Sequence, residues 1–328
     1  MIDYRLKVFR AVATNFSFTK AAQELYISQP AVSKHIQELE TEYKTRLFDR
    51  SNGRVTLTKA GQLLYDYSET IMAEYKKMDF AMNALRGKYK GRLNVGCSTT
   101  IANYVIPSIL IDFIKEFPDM EIVWQVGNSA EIESQLLSGK IDIGLVESIR
   151  RHANIKYSTF MNDELVAIAR ADHNIPDEIT LEQLSQHPLI LREHGSGTLE
   201  VIEHHLGKSS HSLSGMNVLV HLSTTEIIKR VVEESQYIGI VSVMSIAKEL
   251  KSGSLKIIDI KGVDMTRGFM FVQRPGEKGG SGKLFKQYCL RKIKSYRSTT
   301  MLYNFLLCLI IILYKQHNHK TTNFALVN

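Results

Sequence analysis

The sequence predicts an α/β protein that begins with a small winged helix-turn-helix unit, continues in one long helix and ends in a larger domain. Three observations predict this order. Two helical patterns separated by a very short turn precede a hairpin signal within residues 17–58. A long apolar stripe at helical spacing follows. From Leu93 onward, short β-rich runs alternate with amphipathic helices.

Composition is that of an ordinary soluble chain. The 328 residues, 44% hydrophobic and 23% charged, are enough for two or three compact units. Cys97, Cys289 and Cys308 are widely spaced and form no CxxC pair, so neither a disulfide framework nor a zinc site is expected. The N-terminus MIDYRLKVFR is charged throughout and lacks the apolar core of a signal peptide. We therefore expect a cytoplasmic protein.

Charge is unevenly distributed along the chain. Residues 1–90 contain 15 Lys and Arg against 10 Asp and Glu, residues 91–282 contain 18 against 24, and residues 283–328 contain 8 against none. A basic N-terminal unit is typical of a protein that binds a polyanion, whereas an acidic middle part is not.

The stretch SFTKAAQELYISQPAVSKHIQELE, residues 17–40, predicts two helices joined by a tight turn. Ser17 is placed to cap the first helix and Ser28 the second, in which Pro30 occupies the first turn without losing a hydrogen bond. The apolar residues at helical spacing are Ala21, Ala22 and Leu25 in the first helix and Val32, Ile36 and Leu39 in the second. This spacing predicts a helix-turn-helix whose second helix keeps one face free for the major groove.

The free face of the second helix carries side chains suited to base edges and phosphates. These are Gln29, Ser33, Lys34 and Gln37, with His35 near the border. A solvated helix face is the alternative for such a helix in isolation. Downstream, LFDRSNGRVTLT places two β-prone runs around Asn52-Gly53, which predicts a hairpin bracketed by Arg50 and Arg54. A basic hairpin beside a helix-turn-helix indicates a wing.

The segments FRAVATNFSFTKAAQELYISQPAVSKHIQELE and RLFDRSNGRVTLTKAG, between Phe9 and Gly61, resemble the N-terminal signature of the LysR-type transcriptional regulators. The resemblance implies a winged helix-turn-helix that binds double-stranded promoter DNA as part of a homodimer or homotetramer. With the groove-facing residues above, the predicted DNA-contacting set is Thr19, Ser28, Gln29, Pro30, Ser33, Lys34, His35, Gln37, Arg50 and Arg54. The chain departs from the family at Asn15 or Phe16 and at Lys44, where Gly is usual, and at His35, where Arg or Gln is usual.

A long helix is predicted over residues 59–86, with Thr58 as its cap. Its apolar seam consists of Leu64, Tyr67, Ile71, Tyr75, Met78, Met82 and Leu85. A seam this narrow is typical of a helix that packs on a partner helix, so we expect it to hold a dimer. The alternative is packing on the chain's own next domain. The sequence GKYKG at residues 87–91 predicts the domain boundary.

The third part of the chain predicts two series of strands. They are LNVG, EIVWQVG, IDIGLVE, ELVAIAR, PLILRE, NVLVHLS, YIGIVS, LKIIDI and GFMFVQR, followed by a basic helix around residues 281–297. Two α/β lobes of this kind resemble the effector-binding half of the same regulators, itself like a periplasmic binding protein. The predicted organisation is a DNA-binding domain 1–58, a linker helix 59–90, an effector domain 91–298 (lobe one 91–161 and 267–298, lobe two 162–266) and a tail 299–328.

Polar residues follow several of the predicted strands, where helix N-termini favour anions. They are Ser98, Thr99 and Thr100, Asn128 and Ser129, and Ser196, Gly197 and Thr198, with the weaker STTE at residues 223–226. Each hydroxyl taken alone is also an ordinary helix cap. The resemblance implies that Ser98, Thr100, Ser129 and the GSGT turn line a cleft between the lobes. We therefore expect a small anion or polar metabolite as effector, and no cofactor.

Catalytic alternatives have less support in the sequence. HGSG lacks the first Gly of GxSxG, Cys97 has no assignable base, and the histidines have no recognisable metal spacing. The resemblance implies that a peroxide sensor of this family would have two cysteines close in sequence within lobe two, which holds none. The alternative to a regulator is a solute-binding or enzymatic α/β domain with an accessory helix-turn-helix. For the regulator, RNA polymerase is an expected partner.

The apolar stretch MLYNFLLCLIIILY, residues 301–314, is shorter than the roughly 20 residues needed to cross a bilayer. No stable membrane insertion is expected. A short docked or membrane-touching helix and read-through past an ancestral end both remain open.

Overall fold

The computed structural model describes residues 3–50, 54–209, 211–276 and 279–298. The predicted hairpin tip Asn52-Gly53, Cys308 and the apolar stretch 301–314 lie outside the described residues. The chain divides into two compact units, residues 1–88 and 89–328. In the described part of the chain, no helix combines the length and apolar character that a transmembrane span requires.

The first unit consists of helices and one two-stranded sheet. Its elements are α1 (Tyr4–Asn15), α2 (Phe18–Leu25), α3 (Gln29–Glu42), β1 (Phe48–Asp49), β2 (Thr56–Leu57) and α4 (Lys59–Ala84). The predicted caps are confirmed, since the hydroxyls of Ser17, Ser28 and Thr58 accept hydrogen bonds from the backbone N–H groups at the starts of α2, α3 and α4. The predicted stripes of α2 and α3 lie in the core, with Val32 and Ile36 fully buried.

Three residues of this unit adopt left-handed backbone conformations without being glycine. Phe16 (φ 48°) ends α1, Tyr26 (φ 53°) ends α2, and Lys44 (φ 52°) follows α3. The resemblance noted in the sequence implies glycine at Asn15 or Phe16 and at Lys44, and of these three residues Phe16 and Lys44 have a positive φ. A side chain in this conformation costs on the order of 1 kcal/mol relative to Gly.

The second unit is a mixed α/β domain. Its strands are β3 (Gly91–Ser98), β4 (Met120–Gly127), β5 (Ile143–Val146), β6 (Lys156–Arg170), β7 (Glu178–Ile179), β8 (Leu189–Arg192), β9 (Val218–Leu222), β10 (Ile238–Ser242), β11 (Leu255–Ile260) and β12 (Thr266–Gln273). Its helices are α5 (Thr99–Tyr104), α6 (Pro107–Glu116), α7 (Ser129–Leu137), α8 (Leu181–Gln186), α9 (Gly197–Lys208), α10 (Thr225–Glu233), α11 (Ala247–Ser252) and α12 (Ser281–Ser298). Every predicted strand is present, and β7 is additional.

The strands form two lobes that share the long strand β6. In lobe one, β3 pairs parallel with β4 and β5, and β12 pairs antiparallel with β5 and β6. In lobe two, β8 pairs parallel with β9 on one side and with β10 on the other. β10 in turn pairs antiparallel with β6. β6 changes partner along its length, because residues 156–164 pair with β12 and residues 165–170 with β10 or β11. The lobes therefore meet along β6, and the chain passes back into lobe one where β12 begins.

Candidate ligand cleft and nucleic-acid interface

The first unit presents the predicted DNA-contacting residues at its surface. The exposed members are Thr19, Ser28, Gln29, Pro30, Lys34, Gln37, Arg50 and Arg54. Ser33 and His35 are half-buried. The amide nitrogen of Gln29 donates to the hydroxyl of Ser33 at 3.1 Å, so the two side chains share one face of α3.

The edges of this surface are held by packing and charge. His35 lies edge-on against the ring of Tyr4 at 5.5 Å, and its Nδ1 is 3.4 Å from the carboxylate of Glu38. The guanidinium of Arg50 lies 4.1 Å from the centre of the Phe18 ring. This cation–π contact fixes where Arg50 leaves the hairpin.

Sequence reasoning missed Tyr26, which is 95% exposed in the turn between α2 and α3. The sequence places Tyr26 in a turn too short to bury an aromatic side chain, and this placement could have identified it as exposed. Tyr26 lies two residues before Ser28, so it adds an aromatic side chain to the exposed surface at the start of α3.

The seam of α4 is largely exposed in the single chain. Tyr67, Ile71, Met78, Met82 and Leu85 are between 46% and 82% exposed. Leu64 instead packs against the core of the first unit. An apolar row of this size on the surface is typical of an interaction site.

In the second unit, the predicted polar residues lie at the carboxyl ends of the parallel strands. Ser98 ends β3 and is paired with Gly127, which ends β4 and precedes Asn128 and Ser129. Helix N-termini meet the same edge, since α5 begins at Thr99 and α7 at Ser129. This edge of a parallel sheet is where α/β proteins bind ligands.

Most of the predicted hydroxyls in lobe one do not serve as helix caps. The hydroxyls of Ser98, Thr99, Thr100 and Ser129 are buried and have no hydrogen-bond partner. Asn128 caps α7 in place of Ser129, because its Oδ1 accepts from the N–H of Glu131 at 3.0 Å. A buried hydroxyl without a hydrogen-bond partner destabilises the protein. A ligand that hydrogen-bonds to these four hydroxyls would remove that cost.

The turn at the start of α9, in lobe two, packs directly on lobe one. The carbonyl of Gly195 accepts a hydrogen bond from the N–H of Ala130 at 3.2 Å. A Cβ at Gly197 would lie 2.8 Å from Ser129 Oγ and 2.7 Å from Glu147 Cγ. Only glycine fits at this position, and it brings lobe two against the hydroxyl of Ser129. The hydroxyl of Ser196 accepts from the N–H of Thr198 and acts as the cap.

A buried ionic cluster lies beside this turn. Arg267 donates through Nε to Asp163 at 2.8 Å and through Nη1 to the hydroxyl of Thr198 at 2.9 Å. Asp163 also accepts from the Ser242 hydroxyl at 2.7 Å. Burial raises the pKa of Asp163, and the charge of Arg267 opposes this shift. The second terminal nitrogen of Arg267, Nη2, is buried without a partner.

A second buried guanidinium ends β8. Arg192 is 1% exposed and pairs through Nε and Nη2 with Glu193, while Nη1 has no partner. Burial and the carboxylate of Glu226 raise the pKa of Tyr104 well above its usual value, and the charge of Arg192 acts in the opposite direction. Tyr104 ends α5 and hydrogen-bonds Glu226 of lobe two, so Arg192 lies near the helix that begins at Thr99.

The sequence interpretation did not include several of the buried charged residues, among them Glu147, Asp163, Arg192 and Arg267. Each lies within or at the end of an apolar strand pattern, and a charged residue at such a position could have been recognised as buried. A charged residue in such a strand needs a partner from elsewhere in the fold.

A pocket of about 320 Å³ opens beside the Gly197 turn. It is lined by residues of both lobes, among them Ser129, Glu133, His194, Ser196 and Glu200. Its size is that of a site for a small molecule. The structure thus joins a helix-turn-helix unit to a two-lobed binding domain, the architecture of a ligand-controlled DNA-binding protein.

Comparison with known proteins identifies the family. Residues 4–62 match the family model described as "Bacterial regulatory helix-turn-helix protein, lysR family", and residues 86–292 match the "LysR substrate binding domain". The RuBisCO operon transcriptional regulator of Allochromatium vinosum is 31% identical over 277 residues, which cover 84% of this chain and 90% of that protein.

Two solved structures are similar. The regulatory domain of Synechocystis PCC6803 CcmR in complex with 2-PG has a TM-score of 0.57 and 25% identity, covering 62% of this chain and 98% of that one. Full-length CbnR complexed with its target DNA has a TM-score of 0.59 and 19% identity, covering 89% and 100%. The latter likeness concerns the fold alone.

The chain therefore belongs to the LysR family of transcriptional regulators. It is a DNA-binding regulator whose activity is controlled by a small-molecule effector.

Proposed function

We propose that a small anionic metabolite binds between the two lobes of the second unit and changes how a dimer of this protein presents its helix-turn-helix units to promoter DNA. The observation that carries the proposal is the set of buried hydroxyls without partners at Ser98, Thr99, Thr100 and Ser129. Natural proteins pair nearly all buried polar groups, and a ligand at this sheet edge would supply hydrogen-bond partners for all four hydroxyls.

An anion fits the donors around these hydroxyls. Residues at the starts of α7 and α9, Ser129 and Ser196, line the pocket, and helix N-termini carry a partial positive charge. The unpaired guanidinium nitrogens of Arg192 and Arg267 add two charged donors. The similar CcmR domain was solved with a small ligand, 2-PG. A metabolite bridging Ser129 and Thr198 would contact both lobes.

The same proposal assigns DNA contact to α3 and the β1–β2 hairpin. Gln29, Ser33 and Lys34 share the free face of α3 and read base edges, while Arg50 and Arg54 hold phosphates. The exposed seam of α4 joins two chains, so that two half-sites are bound together. The protein then acts in the cytoplasm, where it meets promoter DNA and RNA polymerase.

No reaction is assigned to the protein. Burial raises the pKa of the Cys97 thiol, and the neighbouring Glu147 charge raises it further. A protonated, fully buried thiol is a poor nucleophile. Cys97 is therefore a small core residue at the end of β3.

The test combines a ligand screen with promoter binding. Small anions, including sulfur and nitrogen metabolites, are screened for thermal stabilisation, where a ligand at a hundredfold its Kd stabilises by about 2.7 kcal/mol. The hit is then added to the full-length protein with its promoter fragment. We expect altered DNA affinity or bending. An effector that stabilises the protein without changing either would contradict the proposed control of DNA binding.

A further inference from the structure

Glu147 lies at the carboxyl end of β5, between the Gly197 turn and the ionic cluster. Its side chain is 2% exposed. Oε1 lies 3.8 Å from Arg267 Nη1, which is too long for a hydrogen bond, and Oε2 is buried without any partner. Because an ionised carboxylate needs several donors when it is buried, Glu147 is under-satisfied in the ligand-free protein.

Arg267 forms an ion pair with Glu147, but its hydrogen bonds go to other groups. Arg267 already donates Nε to Asp163 and Nη1 to Thr198, and Asp163 also accepts from Ser242. Arg267 and Asp163 therefore form a neutral, hydrogen-bonded pair. Glu147 is left with an oxygen, Oε2, that accepts no hydrogen bond beside the Gly197 turn.

The hydroxyl of Ser129 lies against the same side of Gly197 as Glu147. A Cβ at Gly197 would lie within 3 Å of both Ser129 Oγ and Glu147 Cγ, so both side chains pack against this turn, and Ser129 also lines the pocket beside it. Ser129 Oγ and Arg267 Nη2 offer N–H or O–H donors, whereas Glu147 offers only acceptors. The cleft is thus complementary to a ligand that both accepts and donates hydrogen bonds.

We propose that Glu147 determines effector specificity by requiring that the anion also carry an N–H or O–H donor. This inference rests on the proposed function of the cleft. A hydroxy acid, an amino acid or a protonated oxyanion satisfies Oε2. A fully ionised oxyanion places its own lone pairs and charge against the carboxylate and is rejected. An unmet buried polar group discriminates strongly between such ligands.

The experiment uses pairs of anions that differ in the donor. Full-length protein at pH 7 is titrated with inorganic phosphate against sulfate, and with glycolate against acetate, and binding is followed by calorimetry and thermal stabilisation. Phosphate keeps a proton and glycolate a hydroxyl, whereas sulfate and acetate present acceptors only. We expect the donor-bearing member of at least one pair to bind about tenfold tighter or more.

Two variants separate the role of Glu147 from that of local charge. Glu147→Gln keeps the shape and adds an N–H donor, so the preference should fall to within about threefold and sulfate or acetate should gain affinity. Glu131→Gln removes an equal charge from the exposed N-terminus of α7 and retains its capping box, so its preference should match the wild type.

The outcomes are distinct. If the wild type binds sulfate at least as tightly as phosphate and acetate at least as tightly as glycolate, the anion site stands and the donor requirement is overturned. A preference that survives in Glu147→Gln overturns it as well. If none of the four anions binds at about 20 mM, the effector is not a small anion of this kind and both proposals fall. The wild-type comparison needs no variant and so does not depend on the folding of Glu147→Gln.

Discussion

Replacing Thr100 with valine should stabilise the ligand-free protein while removing its response to effector. Thr100 is 1% exposed and its hydroxyl has no hydrogen-bond partner. Valine has nearly the same shape, so the change removes an unsatisfied polar group without leaving a cavity. Since such a group costs about 1–3 kcal/mol, we expect a gain of about 1 kcal/mol in the free energy of unfolding. For a domain of this size, that corresponds to an increase of about 2–4 °C in Tm.

The matched control is Thr180→Val. The Thr180 hydroxyl accepts a hydrogen bond from the N–H of Gln183 and caps α8, away from the cleft. This variant should lose about 1 kcal/mol and keep its effector response. Calorimetric unfolding of both full-length variants, with and without the effector found by the screen, gives the comparison. A loss of stability in Thr100→Val like that in Thr180→Val would refute the view that the Thr100 hydroxyl awaits a ligand.

Three further outcomes are expected. Gln29→Ala should relax sequence preference at one operator position by about 1–3 kcal/mol, whereas Arg54→Ala should weaken binding to all sequences and flatten the salt dependence; a randomised site library that gives the same profile for Gln29→Ala as for the wild type excludes base reading by Gln29. Replacing Ile71 and Met78 of α4 together with lysine should give monomers by light scattering and much weaker DNA binding, because both side chains are about half exposed on the seam; persistent dimers would place the interface elsewhere. Gly197→Ala should abolish effector binding in calorimetry while DNA affinity without effector is kept, because its Cβ would meet Ser129 and Glu147; normal effector binding would mean that the ligand does not lie at this turn.

Local patterns in the sequence predicted the helix-turn-helix and its caps. Ser17, Ser28 and Pro30 act on their own helices, so spacing along the chain is enough to place them. The strands of the second unit were predicted for the same reason. The length of β6 was not, because its first half is stabilised by pairing with β12, more than 100 residues later in the chain.

The cleft was predicted only in part. Ser98, Thr100 and Ser129 follow strands, and this position indicates a ligand edge without any knowledge of the fold. Sequence could not show that their hydroxyls lack partners, since that depends on the neighbouring lobe. Glu147 and Arg267 could not be recognised either, because a buried charge becomes informative only when its distance from other charges is known.

Reciprocal coupling tests the central claim, that a ligand in the cleft controls DNA binding. The measurement is the calorimetric Kd of the effector for the full-length protein, free and saturated with its promoter fragment. If the ligand shifts the protein between two DNA-binding arrangements, DNA must change effector affinity by the same factor as effector changes DNA affinity, typically about 5–150-fold. An effector Kd that is identical with and without DNA would contradict the account.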